Sequence, residues 1–233
     1  MYSTSSDARQ SIIQSIRSHL AESARIELLH ERTPALSEKQ SAAYSEPGDD
    51  PNVFASTVAM FCERLEAVGG HCVVAKDKAE AARALAQIIS ALQSSIAAKR
   101  IALSDAPLLS ELVSEKAFAG MQICPPVSEL FSYDVGITTA QAAIAETGTL
   151  VLESERERHR LVSLLPPVHI AVVSSAEICL TIGDALKRLR ANGDAMGRAI
   201  TFITGPSRTA DIELTLTVGV HGPKELYVIV LDN

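Results

Sequence analysis

The stretch VHIAVV, Val168 to Val173, constrains this chain more than any other. Apart from His169 it is apolar, and it does not alternate with polar residues. A half-exposed strand alternates, because successive side chains point to opposite faces of a sheet. A strand without alternation has to be covered on both sides, which is the situation of a parallel sheet between other layers. TLVLES, AITFITG and ELYVIVLD are built in the same way.

The chain before VHIAVV alternates strand and helix. HCVVAK (His71 to Lys76), RIALSD (Arg100 to Asp105), GMQICP (Gly120 to Pro125) and YDVGITT read as strands. A helix follows Pro51, with Phe54, Val58, Phe61, Leu65 and Val68 on one side and Gly69-Gly70 at its end. Asp77 with Glu80 resembles a capping box. The helix it opens turns Leu85, Ile88, Ile89, Leu92 and Ile96 inward. Pro107 to Phe118 is helical, and a later helix carries Ile178, Ile182, Leu186 and Leu189. The expected fold is α/β, three-layered, with a largely parallel sheet flanked by helices. Residues 1–51 form a first region, a helix over Asp7 to Leu28 followed by a polar loop from Thr33 to Pro51. Residues 52–233 form the α/β domain.

Composition limits the partners. The 233 residues carry a formal net charge of -7, which argues against non-specific nucleic-acid binding. No run approaches the roughly 18 apolar residues of a membrane span. The start, MYSTSSDARQ, lacks the pattern of a secretory signal. Cys62, Cys72, Cys124 and Cys179 have no C-x-x-C spacing and sit among apolar residues, so buried free thiols are expected. Together these features point to the cytoplasm.

Ligands of open α/β sheets collect at the carboxyl ends of strands. Three segments place glycines and hydroxyls there. In ITTAQAAIAETGT, a strand delivers Thr138 and Thr139, a short helical stretch follows, and Glu146, Thr147, Gly148 and Thr149 turn into the next strand. Gly148 at positive φ lets neighbouring N–H groups converge on an anion, or it simply caps a helix. In ITGPSRTADIE, Gly205-Pro206 end a strand, and Ser207 and Thr209 cap the next turn. Arg208 offers a planar fork to a carboxylate or phosphate, or pairs internally with Asp211 or Glu213. In GVHGP, His221 beside Gly222 is either a general base near neutral pH or a surface-turn histidine. His159 and His169 are weaker candidates, and His169 is expected to satisfy a buried neighbour. No dinucleotide, Walker, zinc-protease or nucleophile-elbow motif is present. The cysteine spacing fits neither a zinc site nor an iron–sulfur cluster, so no metal is expected.

TTAQAAIAETGTLVL, SLLPPVHIAVV and ITGPSRTADIELTLTVGVHGP, in that order, resemble the LUD-domain family, within it the lactate utilization C group. The resemblance covers about Ser132 to Asp232. It implies a fold similar to the ribose-5-phosphate isomerase and CoA-transferase group. It implies a subunit of a system that oxidises L-lactate to pyruvate beside two iron–sulfur partner proteins, this chain carrying no cofactor itself. A small-anion pocket would then draw donors from Thr138, Thr139, Thr147, Gly148, Thr149, Gly205, Ser207, Thr209 and Gly222. Arg208 or His221 would offset the ligand's charge, and Glu146 would orient these groups or exchange a proton. Glu146-Thr147-Gly148 also resembles the nucleophilic glutamate loop of CoA-transferases, which implies a stand-alone transferase or isomerase as an alternative. A non-catalytic scaffold for the iron–sulfur proteins is a third possibility.

Overall fold

The structure is a computed structural model that describes Gln14 and residues 51–113, 120–154, 160–191, 199–209, 217–218 and 222–232. The expected first helix and polar loop therefore lie outside the described residues, Gln14 and Pro51 excepted. The chain divides into Met1–Gly48 and Asp49–Asn233, and the architecture below is that of the second unit.

Its centre is a six-stranded sheet in the order β1-β12-β7-β4-β2-β3. The strands are β1 (His71–Ala75), β2 (Ile101–Leu103), β3 (Met121–Ile123), β4 (Val135–Thr139), β7 (Val168–Ser174) and β12 (Glu225–Leu231). Every pairing in it is parallel. Parallel strands need crossovers, and two of these crossovers are themselves strand-rich. Between β4 and β7 lie β5 (Ala142–Ile144) and β6 (Thr149–Glu153). Between β7 and β12 lie β8 (Ile178–Cys179), β9 (Ile200–Ile203), and the antiparallel pair β10 (Arg208–Thr209) and β11 (Thr217–Val218). From these connections a second, four-stranded sheet assembles in the order β8-β5-β6-β9.

Helices complete the layers. Helix α1 (Pro51–Ala67) buries Val58, Phe61 and Leu65, as the spacing predicts. Helix α2 (Lys78–Ser95) is capped by Asp77, whose side chain accepts the Glu80 N–H. The reciprocal bond differs from the expected box: the Glu80 carboxylate accepts from Lys76 N–H, not from Asp77. Leu85, Ile89 and Leu92 face inward, but Ile96 sits at the helix C-cap and is exposed. Helix α3 (Pro107–Leu112) is short, and residues 114–119 lie outside the described residues. Helix α4 (Ile182–Ala191) starts later than the apolar spacing suggests. Ile178 belongs to β8 and Ile182 is exposed, while Ala185 and Leu189 supply the buried face.

The two faces of the six-stranded sheet are covered differently. Ile101, Leu103, Val135, Ile137, Ile170 and Val172 meet α2 and α3. Ala171, Val173, Leu226, Val228 and Val230 meet α1 and the four-stranded sheet. That sheet alternates in turn: Ala143, Leu150 and Leu152 face the six-stranded sheet, while Ala142, Ile144 and Val151 face α4. Double coverage is why neither VHIAVV nor TLVLE alternates in the sequence. Phe61, wholly buried, belongs to the cluster that joins the two sheets.

The expectation of free thiols fails at two positions. Cys62 on α1 and Cys72 on β1 form a disulfide, with Cα atoms 5.4 Å apart. The link between helix and strand is only Val68, Gly69 and Gly70, so β1 runs back along the end of α1 and brings the two side chains together. Cys124 and Cys179 remain thiols. Among the described residues, no helix is long and apolar enough to cross a membrane.

Candidate functional site

The stretch Gln141–Ile144 was expected to be helical and is not. Gln141 donates its N–H to Val151, and Ala142–Ile144 pair antiparallel with Thr149–Val151, making a hairpin. Glu146, Thr147 and Gly148 are its turn. Gly148 has φ +63°, a conformation glycine adopts without steric cost. A Cβ there would stand 2.3 Å from Leu65 N, so glycine is also required for the turn to lie against α1.

Strand β9 pairs with β6 so that Ile203 stands opposite Leu150. Thr204 consequently meets Thr149, hydroxyl to hydroxyl at 2.7 Å, and Thr149 meets Thr147 at 2.7 Å. The next residue, Gly205, has φ +76°, and a Cβ on it would lie 2.8 Å from Val68 O. Both turns thus rest on the last turn of α1.

That helix end is a Schellman motif. Gly70 N–H bonds to Leu65 C=O, Gly69 N–H to Glu66 C=O, and Gly69 takes φ +90°. The Val68 carbonyl accepts from Arg208, whose Nη2 donates to it at 2.9 Å. A cation on the carbonyl end of a helix is favoured by the macrodipole. The third segment closes against the second: Ser207 N–H donates to Pro223 C=O at 2.8 Å, and a Cβ on Gly222 would touch Ser207.

Glu146 faces another helix. Its N–H donates to Leu180 C=O, and its carboxylate accepts Ile182 N–H at 3.3 Å, at the start of α4. A carboxylate at a helix N-terminus offsets the partial positive charge there. Thr181 and Asp184 complete that terminus, the Asp184 N–H donating to the Thr181 hydroxyl and that hydroxyl to the Asp184 carboxylate. Glu146 remains exposed at the tip of the hairpin.

Thr138 and Thr139 are placed apart from this rim, on β4. Thr138 is wholly buried and its hydroxyl lies 2.8 Å from His169 Nε2. His169 is buried too, as expected, and desolvation pushes its pKa down to about 3. Among the described residues its Nδ1 has no hydrogen-bond partner. A hydrogen on Nδ1 would be a buried donor without an acceptor, so the neutral ring carries its proton on Nε2 and donates it to Thr138. Thr139 accepts weakly from Gln141 Nε2 at 3.4 Å, and Gln141 in turn accepts Glu153 N–H. The Thr209 side chain, His159 and His221 lie outside what is described.

The structure therefore brings together Thr147, Gly148, Thr149, Gly205, Ser207, Arg208 and Gly222 around the end of α1. Glu146 stands at the same hairpin but turns to α4. Two participants escaped the sequence reading. Thr204 carried a signal, a hydroxyl at a strand end directly before glycine. The Val68 carbonyl carried none. Among the described residues, no group of three or more His, Cys, Asp and Glu side chains is placed to hold a metal ion.

The profile of the LUD domain matches residues 58–231. The chain belongs to the LUD-domain family. Among curated relatives, lactate utilization protein C of Bacillus licheniformis is 43% identical over 104 residues, and that of Bacillus subtilis 45% over 104 residues. Each match spans 43% of this chain and 43% of the relative, so less than half the relatives' length is covered. The crystal structure of a DUF162 family protein from Deinococcus radiodurans superposes with a TM-score of 0.57 at 25% identity, over 76% of this chain and 98% of that one. The α/β fold is thus shared with a LUD-type relative, and the rim around α1 lies within the matched domain.

Proposed function

We propose that this LUD-domain chain serves lactate utilization by holding a small carboxylate at the rim of its four-stranded sheet. The observation that carries the reading is the hydroxyl line Thr147–Thr149–Thr204, set on the same helix end as Arg208. Each hydroxyl has one donor hydrogen. The contacts within the line use two of these hydrogens and leave one to point outward. Among the described residues Arg208 gives one of its five N–H donors, to Val68, and the rest of its fork suits a carboxylate. The relatives named lactate utilization protein C support L-lactate or pyruvate as that carboxylate.

In this reading the assembly oxidises L-lactate to pyruvate. The electron pair passes to iron–sulfur clusters in two partner proteins, and this chain carries no cofactor. Glu146 orients the ligand or exchanges a proton, and His221 serves as base. Calorimetric titration with L-lactate, pyruvate and inorganic phosphate tests the site. A carboxylate is expected to bind, and Arg208→Ala to weaken it at least tenfold, about 1.4 kcal/mol. The absence of binding, repeated with proteins recovered from cells grown on L-lactate, overturns the reading.

One observation favours a second reading. Glu146 is exposed at a hairpin tip and its carboxylate is held by a helix N-terminus, a position open to an acyl donor. A transferase acting through Glu146 predicts an acyl adduct on that residue by mass spectrometry and no turnover in Glu146→Gln. Lactate oxidation that survives all rim substitutions but is lost with surface substitutions would instead favour a scaffold.

A further inference from the structure

The disulfide and the rim share one structural support. Cys62 lies in α1, Cys72 is the second residue of β1, and only Val68, Gly69 and Gly70 separate helix from strand. The same helix end also supports the rim at three points. Gly148 packs on Arg64 and Leu65, Gly205 packs on Val68, and Arg208 bonds to the Val68 carbonyl. A Cβ on Gly69 would stand 2.4 Å from Arg208 Nη2, so a side chain there would displace the guanidinium. A small shift of this turn relative to β1 therefore moves the partner of Arg208 and the seats of both glycine turns.

We infer that Cys62 and Cys72 are a reversible thiol–disulfide couple that sets the position of the α1 end and, through it, of Arg208. The link to ligand binding rests on the carboxylate reading of the rim; the link to Arg208 does not. Both cysteines are half-buried rather than sealed, and their Cα separation suits a bridge. Oxidation proceeds by exchange. The thiolate of one cysteine attacks a low-molecular-weight disulfide and expels one thiol. The second cysteine, as thiolate, attacks the mixed disulfide and expels the other. The protein loses two protons and an electron pair, and the small disulfide becomes two thiols. A dithiol reductant reverses the sequence. When the bond is absent, the sulfur atoms separate to an ordinary non-bonded distance of about 3.5–4 Å, against about 2 Å when joined. The end of α1 is then held to β1 by its short link and its packing alone. In a compartment that keeps thiols reduced, such a bridge is usually transient, and catalytic or redox-sensing.

The test uses the full chain equilibrated in graded mixtures of reduced and oxidised glutathione. Acid quenching, alkylation and mass spectrometry score each cysteine, with Cys124 and Cys179 as internal references. Amide hydrogen exchange is read in parallel over residues 204–208, with Val135–Thr139 as the control strand. The expected result is that Cys62 and Cys72 convert together and reversibly. Exchange over 204–208 should rise at least threefold on reduction, with the control strand unchanged. The Cys62→Ser/Cys72→Ser variant should match the reduced protein in every mixture. If that variant does not fold, the reduced wild-type chain alkylated at both thiols takes its place. Thiols that never pair, a bond that no mixture reduces, or equal exchange in both states each overturn the inference. Exchange that responds to glutathione, with lactate and pyruvate bound in neither state, supports the couple and removes the carboxylate reading instead.

Discussion

The two sheets of this molecule treat polar groups in opposite ways. At the centre of the six-stranded sheet a polar pair is sealed: Thr138 and His169 are wholly buried and bond to each other. In the four-stranded sheet the hydroxyls gather at one end, from Thr149 inside to Thr147 and Thr204 outside, beside an exposed Glu146 and an exposed Arg208. The sealed pair can affect only stability and its pH dependence. The open line can meet a ligand. The fold therefore separates the layer that holds the protein together from the layer that is free to recognise something.

The strongest way to break that separation is through the cluster that joins the two layers. Phe61→Ala should destabilise by about 3–5 kcal/mol, the cost of emptying a buried aromatic site. Urea unfolding measures the loss. Amide exchange should show the four-stranded sheet opening before the six-stranded one. Simultaneous opening would mean that the two sheets form a single cooperative layer.

Acid should act on the sealed layer. The folded pKa of His169, about 3, lies below its unfolded value near 6.5. Between those values the unfolded chain binds the proton and the folded chain does not. Its contribution to stability is fully present above about pH 6.5 and is lost as the pH falls toward 3, by up to about 1.4 kcal/mol per unit. His169→Gln should flatten this acid limb in unfolding curves taken from pH 7 to pH 4. An unchanged slope would show that His169 is not the group responsible.

A matched pair of substitutions gives the finest comparison. Thr138→Val leaves the His169 donor buried without an acceptor and should cost about 1–3 kcal/mol. Thr204→Val removes a hydroxyl at the rim and should cost about 0.5–1.5 kcal/mol while abolishing carboxylate binding. Thermal unfolding and calorimetric titration of the two variants together decide whether sealed and open hydroxyls differ as the structure implies.

Much of the frame was legible in the sequence because local and tertiary signals agree there. Gly69-Gly70 marks the end of α1 because glycine is needed for the left-handed turn. The unbroken apolar runs report strands covered on both faces. The misreading at Ala142–Ile144 has a physical cause. An alanine-rich segment has high helix propensity, yet its small side chains also suit a strand packed tightly between α4 and the six-stranded sheet, and the tertiary environment decides. The candidate site was half legible. Its glycines and hydroxyls could be picked out, but their partners could not. Arg208 had Asp211, Glu213 or a ligand as candidates; Asp211 and Glu213 lie outside the described residues, and among the described ones its partner is a backbone carbonyl at Val68. Glu146 finds its partner at Ile182. No local pattern announces either contact, nor the bridge between Cys62 and Cys72.

The placement of β1 has a consequence for how the molecule is made. His71 pairs with Tyr227, and β1 touches no other strand of its sheet. During synthesis α1 and β1 emerge early but have no ladder to join until β12 has left the ribosome. Contacts so remote along the chain delay folding. Over that interval the edge of β7 awaiting β12 is open to unintended neighbours, so a chaperone that covers it would raise the yield of correctly assembled protein.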